Sequence, residues 1–408
     1  MTNPLYDPYR ILQKIYSEGA YLKQAISDCP IEEANRAQTV KIVYGVLEND
    51  ALFDYCIRQY APKAPKLPIR TLLKIAMYML AFLQKHKYMV TDFAVDLCKK
   101  LGKGGASGFV NAYLRNFDIQ KVPLPEDPLE NLSVRYSMPL EFVRVLDKRY
   151  GERTESILAA KSSGVTVRFV RDAEKYLERP HTDTPFPNVY IFPNFIRDGG
   201  FFMGDYTFQS VGSVAICTVC DPCESLLDAC AAPGGKSVLL SEKCGKITAC
   251  ELHTHRVELI ESYVSRMGVE NVTAVQADST VFSPAWEGAF DGVLCDVPCS
   301  GLGTFAENPD VKRNKTLQDV AELNKTQFSI LQNVSRYVKD GGYIVYSTCS
   351  VLQSENDGTV QKFLKANPAF RAEAISSPLP HEKTAFGLQF LPDTAFGAGF
   401  YVAKLRKG

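Results

Sequence analysis

The 408-residue sequence lacks an excess of charge of either sign, because 46 aspartate and glutamate residues match its 46 lysine and arginine residues. Bulk charge therefore does not indicate a nucleic-acid-binding protein. Hydrophobic residues make up 46% of the chain and charged residues 23%. This composition excludes a disordered chain, a collagen-like fibre and a small disulfide-stapled scaffold. The length predicts two or three domains.

The sequence also shows no leader pattern and no membrane-spanning run. Its first residues lack a charged segment followed by an apolar core. The most apolar helical stretch, residues 72–83, is interrupted by Lys74 and is too short to cross a bilayer. We therefore expect a cytoplasmic protein that makes no membrane contact and whose 12 cysteines are reduced.

Charge is distributed unevenly along the chain. Residues 1–125 contain 17 basic and 11 acidic side chains, whereas the remainder contains 29 basic and 35 acidic side chains. A basic front part fits a surface that faces a polyanion, and it equally fits an ordinary solvated helical surface. Charge alone leaves both interpretations open.

Hydrophobic periodicity indicates two different folds in the first half of the chain. Residues 1–125 place apolar residues at three- and four-residue spacing between Pro- and Gly-containing breaks, which predicts an all-helical domain. Residues 126–200 begin with a proline-rich linker. There we expect a small α+β connecting subdomain with a helix over 140–150 and a strand over 165–170.

Residues 201–408 follow another pattern, in which short apolar runs alternate with helical stretches. The helical periodicity falls at residues 238–244, 255–267 and 317–338. Alternation of strands and helices predicts a doubly wound, mostly parallel α/β sheet.

One string of small residues follows an apolar run and opens a predicted helix. A backbone without bulky side chains can approach a ligand closely, and the helix N-terminus supplies free N–H groups. The string matches neither the P-loop nor the GxGxxG pattern. A Gly-Gly turn alone would be an ordinary strand–turn–helix corner, but the whole string favours a ligand-binding loop. It reads Asp228-Ala229-Cys230-Ala231-Ala232-Pro233-Gly234-Gly235-Lys236.

Two acidic residues follow the next two predicted strands. Glu251 ends the second strand, 23 residues after Asp228, and an acid at this place in a doubly wound fold hydrogen-bonds the hydroxyls of a ribose. Asp278 follows the third strand, where it can meet an adenine amino group. Each could also be a surface acid at a strand end. Together with the small-residue loop, they favour a nucleoside-type ligand along the carboxyl edge of the sheet.

Two cysteines and one aspartate follow two further predicted strands. Asp296 and Cys299 belong to the string DVPCSG, and Cys349 belongs to YSTCS. Because the carboxyl ends of parallel strands share one edge, both thiols are expected in the same crevice. A thiolate that adds to C6 of a pyrimidine activates C5 for attack on an electrophilic methyl group. Either cysteine alone could instead be a small buried residue.

These strings carry a family resemblance. DACAAPGGK, DVPCSG and YSTCS resemble the motifs of S-adenosylmethionine-dependent RNA cytosine-C5 methyltransferases. The helical front, with VYGVLEND and FVNAYLR, resembles the NusB-like RNA-binding domain of the Sun/RsmB family of small-subunit rRNA methyltransferases. The resemblance implies a Rossmann-like class I methyltransferase fold over residues 201–408, behind an all-α NusB-like domain over 1–125 and the connecting subdomain over 126–200.

The resemblance also implies catalytic roles. Cys349 would be the nucleophile that attacks C6, Cys299 would assist release of the methylated product, and Asp296 would hydrogen-bond the cytosine and border the cofactor. Spacing alone does not distinguish the two cysteines, because DNA cytosine methyltransferases use the cysteine of a Pro-Cys motif as nucleophile.

Cofactor contacts are implied in the same way. The loop from Cys230 to Lys236 would hold the methionine part of S-adenosylmethionine. Glu251 would bind the ribose, where the family usually has Asp, and Asp278 would meet the adenine. Arg256 matches a family arginine near the cofactor. The segment 308–312 keeps a Pro-Asp-x-Lys pattern, which implies a place near the target base.

Three further cysteines have the spacing of a metal motif. Cys217, Cys220 and Cys223 are separated by two residues each, but no fourth ligand lies nearby in the sequence. We therefore expect no metal.

The sequence predicts a monomeric 16S rRNA (cytosine-C5)-methyltransferase that binds RNA and S-adenosylmethionine. A tRNA cytosine-C5 methyltransferase is an alternative, and the helical front favours rRNA. A non-catalytic RNA-binding factor is a second alternative, against which the intact Cys349, Cys299, Asp296 and Lys236 argue.

Overall fold

The chain folds into two compact units. The computed structural model describes residues 3–61, 63–313 and 315–408. The first unit comprises Met1–Ala159 and Asn308–Asn314, and the second comprises Ala160–Glu307 and Lys315–Gly408. None of the helices described is long and apolar enough to span a membrane. The three-part division of the chain at residues 125 and 200 stays a prediction.

The first unit is helical, as the periodicity predicts, and the helix predicted over 140–150 is confirmed at these bounds. Its described helices are α1 (Tyr6–Glu18), α2 (Leu22–Asp28), α3 (Glu33–Glu48), α4 (Asp50–Tyr60), α5 (Leu67–Ala81), α6 (Lys87–Lys100), α7 (Ser107–Asn116), α8 (Pro128–Arg135), α9 (Leu140–Tyr150) and α10 (Thr154–Ala159).

Helix α5 lies at the centre of this unit and is buried on almost every side. Helix α3 approaches it closely at Gly45, where an added Cβ would come within 1.9 Å of the Tyr78 ring. The absence of a side chain at Gly45 therefore sets the distance between the two helices.

A buried lysine in α5 is neutralised by acids of α4. The Lys74 residue is 1% exposed, and its ammonium lies 2.6 Å from Asp50 and 2.8 Å from Asp54. Asp50 also accepts a hydrogen bond from the Tyr16 hydroxyl and forms an ion pair with Arg313. The pairing explains how a charged residue interrupts the most apolar helix of the chain.

The segment that contains Arg313 also caps helix ends of the first unit. Asp310 accepts a hydrogen bond of 3.0 Å from the backbone N–H of Leu22, at the start of α2. The Lys312 ammonium donates to the carbonyls of Glu48 and Tyr136, at the ends of α3 and α8. An acid at a helix start and a lysine at helix ends complement the helix dipoles. The Asp310 and Lys312 side chains are thus bonded inside this unit, and a place of segment 308–312 near the target base stays a prediction.

The second unit begins with a small antiparallel sheet in the order β2-β3-β1-β4. The strand predicted over 165–170 is confirmed as β1. The sequence did not indicate the other strands, because they are two to four residues long and prolines flank two of them. The elements are β1 (Val165–Phe169), α11 (Glu174–Leu177), β2 (Thr182–Asp183), β3 (Val189–Phe192), α12 (Gly199–Phe202) and β4 (Tyr206–Phe208).

The rest of the second unit is a large sheet with helices, as predicted. Its described elements are α13 (Val211–Val219), β5 (Cys223–Asp228), α14 (Gly235–Leu240), β6 (Cys244–Glu251), α15 (Thr254–Met267), β7 (Val272–Gln276), β8 (Phe290–Asp296), α16 (Leu317–Val334), β9 (Val338–Thr348), α17 (Asp357–Ala366), β10 (Phe370–Glu373), β11 (Glu382–Lys383), β12 (Gly387–Phe390) and β13 (Phe400–Lys407).

The strand order is β11-β12-β13-β9-β8-β5-β6-β7, and β10 pairs with β13. Strands β5 to β9 are parallel, whereas β13 runs antiparallel to β9. The doubly wound, mostly parallel sheet is confirmed.

Two predicted helices extend less far than the periodicity indicates. Helix α14 ends at Leu240, and Cys244 already begins β6. The reason is visible at Lys243, whose ammonium donates to the carbonyls of Cys217 and Cys220 and fixes this turn beside α13. Helix α16 ends at Val334, because Val338 begins β9.

The strand order creates a crevice. From β5 the chain proceeds outward to β6 and β7, then returns to place β8 and β9 on the other side of β5. In such sheets ligands bind at the carboxyl ends of the two strands where the order reverses. The last residues of β5, β6, β8 and β9 are Asp228, Glu251, Asp296 and Thr348.

Replacement of Gly45 by alanine tests the close packing of α3 on α5. We expect Gly45→Ala to lower the free energy of unfolding by about 1–3 kcal/mol, because the new methyl group overlaps the Tyr78 ring. Gly108→Ala in α7 is the matched control, since nothing lies within 4 Å of its added Cβ. Urea unfolding measures both. Equal stability of the Gly45 variant and the wild type would contradict the packing described.

Candidate active site

A cavity of about 380 Å³ lies at the carboxyl edge of the large sheet. Its volume is in the range of small-molecule sites. Most positions predicted to contact a nucleoside line it, whereas the rest of the small-residue loop and the predicted nucleophile do not. The predicted residues among its walls are Cys230, Ala232, Glu251, Arg256, Asp278, Asp296 and Cys299. Those outside its walls are Ala231, Pro233, Gly234, Gly235, Lys236 and Cys349.

The loop between β5 and α14 is held against both neighbouring strands. The backbone N–H of Ala229 donates to Leu294 of β8, and that of Ala231 donates to Cys250 of β6. Gly234 has φ +103°, a left-handed conformation that favours glycine, and it precedes the first residue of α14. The loop therefore turns sharply from strand to helix without side chains that would fill the cavity.

Asp228 anchors the start of this loop. The Ser237 hydroxyl, in the first turn of α14, donates a hydrogen bond of 2.6 Å to its carboxyl group. Burial raises the pKa of Asp228 to about 6, although the Ser237 hydrogen bond and the Lys236 ammonium act in the opposite direction.

The predicted ribose and adenine contacts lie on the next two strand ends. Glu251 is buried and accepts a hydrogen bond from the His253 N–H at Oε1. Arg256 lies 3.4 Å from the same oxygen and contacts the carbonyl of Ala232. Asp278 is exposed, and Thr280 donates to its Oδ1. The second oxygens of Glu251 and Asp278 have no hydrogen-bond partner among the described residues.

Lys236 forms an ion pair that the sequence did not indicate. Its ammonium lies 2.6 Å from Asp296 Oδ2, and the Ser347 hydroxyl donates to Oδ1 of the same carboxylate at 2.6 Å. Burial alone would lower the pKa of Lys236, but Asp296 and Cys349 raise it above its usual value. Lys236 is therefore a permanent positive charge beside the predicted catalytic groups.

Backbone hydrogen bonds join the two cysteine-bearing loops. The N–H of Val297 donates to Ser347 at 3.1 Å, and the N–H of Gly303 donates to Cys349 at 2.9 Å. The loop after β8, which carries Cys299, thus runs beside the loop after β9, which carries Cys349. The structure brings the two predicted catalytic cysteines to one place.

A second residue that the sequence did not indicate, Glu355, joins the same loops. Its carboxylate is fully buried. Ser300, next to Cys299, donates its backbone N–H at 2.7 Å and its hydroxyl at 2.6 Å. The hydroxyl of Ser350, next to Cys349, and the Gln327 amide donate to the same carboxylate. Glu355 therefore fixes both cysteines through their neighbours.

Both thiols are half-buried. Burial, followed by the Asp296 carboxylate, raises the pKa of Cys349 to about 12, whereas the Lys236 ammonium acts to lower it. Burial and then the negative charge of Cys349 raise the pKa of Cys299 well above its usual value.

The three cysteines with metal-like spacing lie on successive parts of the fold. Cys217 lies in α13, Cys220 follows it, and Cys223 begins β5, where its sulfur lies 3.7 Å from Cys244. Among the residues described, no three His, Cys, Asp or Glu side chains are grouped to hold a metal ion.

The doubly wound sheet with a cavity at its switch point is the fold of a Rossmann-like methyltransferase. A family model described as 16S rRNA methyltransferase RsmB/F matches residues 218–406, and the NusB family model matches residues 9–118. The probable ribosomal RNA small subunit methyltransferase B of Bacillus subtilis (strain 168) is 31% identical over 97% of both chains. The chain therefore belongs to the ribosomal RNA small subunit methyltransferase B family, whose members depend on S-adenosylmethionine.

Two further comparisons agree. The probable ribosomal RNA small subunit methyltransferase B of Synechocystis sp. (strain ATCC 27184 / PCC 6803 / Kazusa) is 28% identical over 98% of both chains. The crystal structure of PH0851 has the same fold, with a TM-score of 0.83, 22% sequence identity and coverage of 98% of this chain and 97% of that one.

The raised pKa of Cys349 predicts slow, strongly pH-dependent alkylation. Because only the thiolate reacts, the rate at Cys349 should rise about tenfold per pH unit between pH 7 and 9. Lys236→Met should slow it further, since the ammonium favours the thiolate. Peptide mass spectrometry after timed iodoacetamide treatment measures the rate. Lys246→Met, at an exposed position of β6, is the control, and a rate independent of pH would contradict the assignment.

Replacement of Glu355 by glutamine tests its hold on both loops. An amide cannot accept hydrogen bonds from all four donors, so we expect Glu355→Gln to lower the free energy of unfolding by roughly 2–3 kcal/mol. Alkylation of Cys299 and Cys349 should then become faster as their loops separate. Glu322→Gln, on the exposed face of α16, is the matched control. Unchanged stability and alkylation at both cysteines would exclude the role of Glu355.

Proposed function

We propose that this protein methylates C5 of a cytosine in 16S rRNA through a covalent bond between Cys349 and C6 of the base. The observation that carries the proposal is the joining of the Cys299 and Cys349 loops beside Asp296. A tRNA cytosine would suit the same chemistry, but the curated relatives are named for ribosomal RNA of the small subunit. We further propose that it acts as a monomer in the cytoplasm.

The cavity fits the nucleoside part of S-adenosylmethionine. The second carboxylate oxygens of Glu251 and Asp278 are available to the ribose hydroxyls and the adenine amino group. Most residues of the Cys230–Lys236 loop have small side chains, so its backbone can approach a ligand closely. This loop would hold the methionine part. S-adenosylmethionine supplies the electrophilic methyl group when bound. Arg256 holds Glu251 and the carbonyl of Ala232 in place.

The chain's own groups carry the steps on the base. Cys349 gives its proton to water, and its sulfur forms a bond with C6 as the C5–C6 double bond opens, so that its electron pair makes C5 nucleophilic. After C5 has gained the methyl group, water takes the C5 proton. The electron pair of that C–H bond re-forms the C5–C6 double bond while the sulfur–C6 bond breaks and the thiolate leaves. Asp296 hydrogen-bonds the cytosine, and Lys236 pairs with Asp296 and favours the Cys349 thiolate. Cys299 assists the release.

Single cysteine variants test these roles. Cys349→Ala should abolish both methyl transfer and the covalent RNA adduct. Cys299→Ala should let the adduct accumulate, because the release step is slowed. A denaturing gel with labelled 16S rRNA resolves the adduct, and transfer of labelled methyl groups measures turnover. Cys244→Ala, at the opposite end of β6, is the control that should behave as the wild type.

The outcomes separate the alternatives. Full methylation by Cys349→Ala would contradict its role as nucleophile, and an adduct that accumulates only in Cys349→Ala would exchange the roles of the two cysteines. Bisulfite sequencing of RNA from cells with and without the gene identifies the substrate. Methylation confined to tRNA would contradict the assignment to 16S rRNA. Absence of any S-adenosylmethionine binding would indicate a non-catalytic RNA-binding factor.

A further inference from the structure

A groove of about 510 Å³ lies on the first unit, and none of its lining residues takes part in the proposed reaction. Its walls come from the connection between α4 and α5, the first turn of α5 and the turn that leads into α7. Pro68 and Ile69 form part of its apolar floor. Nothing in the proposed chemistry of the second unit uses this groove.

The rim of the groove carries positive charge only. Lys63, Lys66 and Lys103 line it, and all three are exposed. No acidic residue is among its lining residues. None of the three ammonium groups pairs with a carboxylate in the part of the chain that the structure describes. Three unneutralised cations around an apolar floor attract a ligand that combines negative charge with flat, weakly polar surface.

An aromatic ring stands at the same rim. Phe109 is 38% exposed, and its inner side packs on Tyr113, with ring centroids 6.0 Å apart. Tyr113 is buried and contacts the rings of Tyr60 and Phe117. Phe109 is therefore held from behind by other rings while one side remains open to a ligand.

We propose that this groove binds a single-stranded segment of RNA, with a base stacked on Phe109 and phosphates beside Lys63, Lys66 and Lys103. Aromatic platforms and cationic grooves are the combination by which proteins hold single strands without reading their sequence. The proposal rests on the proposed function, because RNA is the substrate of that reaction.

The lining fits RNA better than an acidic peptide. An extended peptide needs partners for its backbone groups and usually adds to a strand edge, whereas the groove is formed by helices and turns. Lysines act as point charges that match phosphates without fixing a planar geometry. The groove therefore offers what a sugar–phosphate chain with unstacked bases requires.

Binding of a fluorescent, unstructured 12-nucleotide RNA to the full-length chain tests the groove by anisotropy. The triple variant Lys63→Gln, Lys66→Gln, Lys103→Gln should raise Kd at least tenfold. It should also reduce the slope of log Kd against log salt by about 2, since each lost phosphate contact on a single strand contributes about 0.7. Phe109→Leu should raise Kd about tenfold with an unchanged salt slope, because it removes the stacking ring. Phe109→Tyr keeps an aromatic ring and should bind the RNA with the wild-type Kd.

A matched triple variant controls for the loss of charge. Lys23→Gln, Lys41→Gln, Lys85→Gln removes three exposed lysines of the same unit that do not line the groove. It should bind the RNA as the wild type does. Equal weakening by both triple variants would show that only overall charge matters and would overturn the proposal, as would wild-type affinity of the groove variants. Tighter binding of a poly-glutamate peptide than of the RNA, with the same dependence on Lys66 and Phe109, would also overturn it.

Methylation assays separate this proposal from the function on which it rests. The groove variants should lower kcat/KM for 16S rRNA by about the factor by which Kd rises. If the wild-type chain methylates RNA and the groove variants keep its full kcat/KM and RNA affinity, the proposed role of the groove is wrong, but the proposed function is not. A wild-type chain that methylates no RNA would contradict the proposed function, and the anisotropy series would still decide whether the groove binds a single strand.

Discussion

The buried carboxylate of Glu355 is the contact on which the geometry of the candidate active site depends. Two loops that follow different strands, β8 and β9, must present their sulfur atoms to one base. Glu355 accepts hydrogen bonds from residues adjacent to both cysteines and from the Gln327 amide. A buried charge is stable only when hydrogen bonds use all of its accepting capacity. The hydrogen bonds to this carboxylate therefore fix the positions of the residues that donate them.

Burial and charge have opposite effects on the two thiols. Burial raises the pKa of both Cys349 and Cys299, which favours the less reactive thiol over the thiolate. The ion pair between Lys236 and Asp296 lies beside them and supplies one positive and one negative charge at fixed positions. The site therefore combines an unreactive resting state with a local charge that favours the thiolate, and binding of a base that excludes water would strengthen the effect of that charge.

The first unit depends on a segment that is distant in sequence. Arg313, Lys312 and Asp310 complete its buried ion pairs and cap its helix ends, although almost all of the unit lies before residue 160. A fragment that stopped there would leave Asp50 with one cation fewer and the ends of α3 and α8 without their lysine. Contacts over such separations form late in folding, because closing a long loop costs chain entropy.

The sequence by itself determined the alternation of strands and helices, because apolar periodicity is a local signal. It thereby also determined that Asp228, Glu251, Asp296 and Cys349 share one edge of the sheet, because parallel strands end on the same side. It did not determine the Lys236–Asp296 ion pair, the role of Glu355 or the contacts of Lys312. The Lys236–Asp296 pair spans 60 positions, the Ser300–Glu355 contact spans 55, and the contact of Lys312 with Glu48 spans 264. Only tertiary packing decides such encounters, since no local pattern records which polar side chains must meet to satisfy one another once water has been excluded.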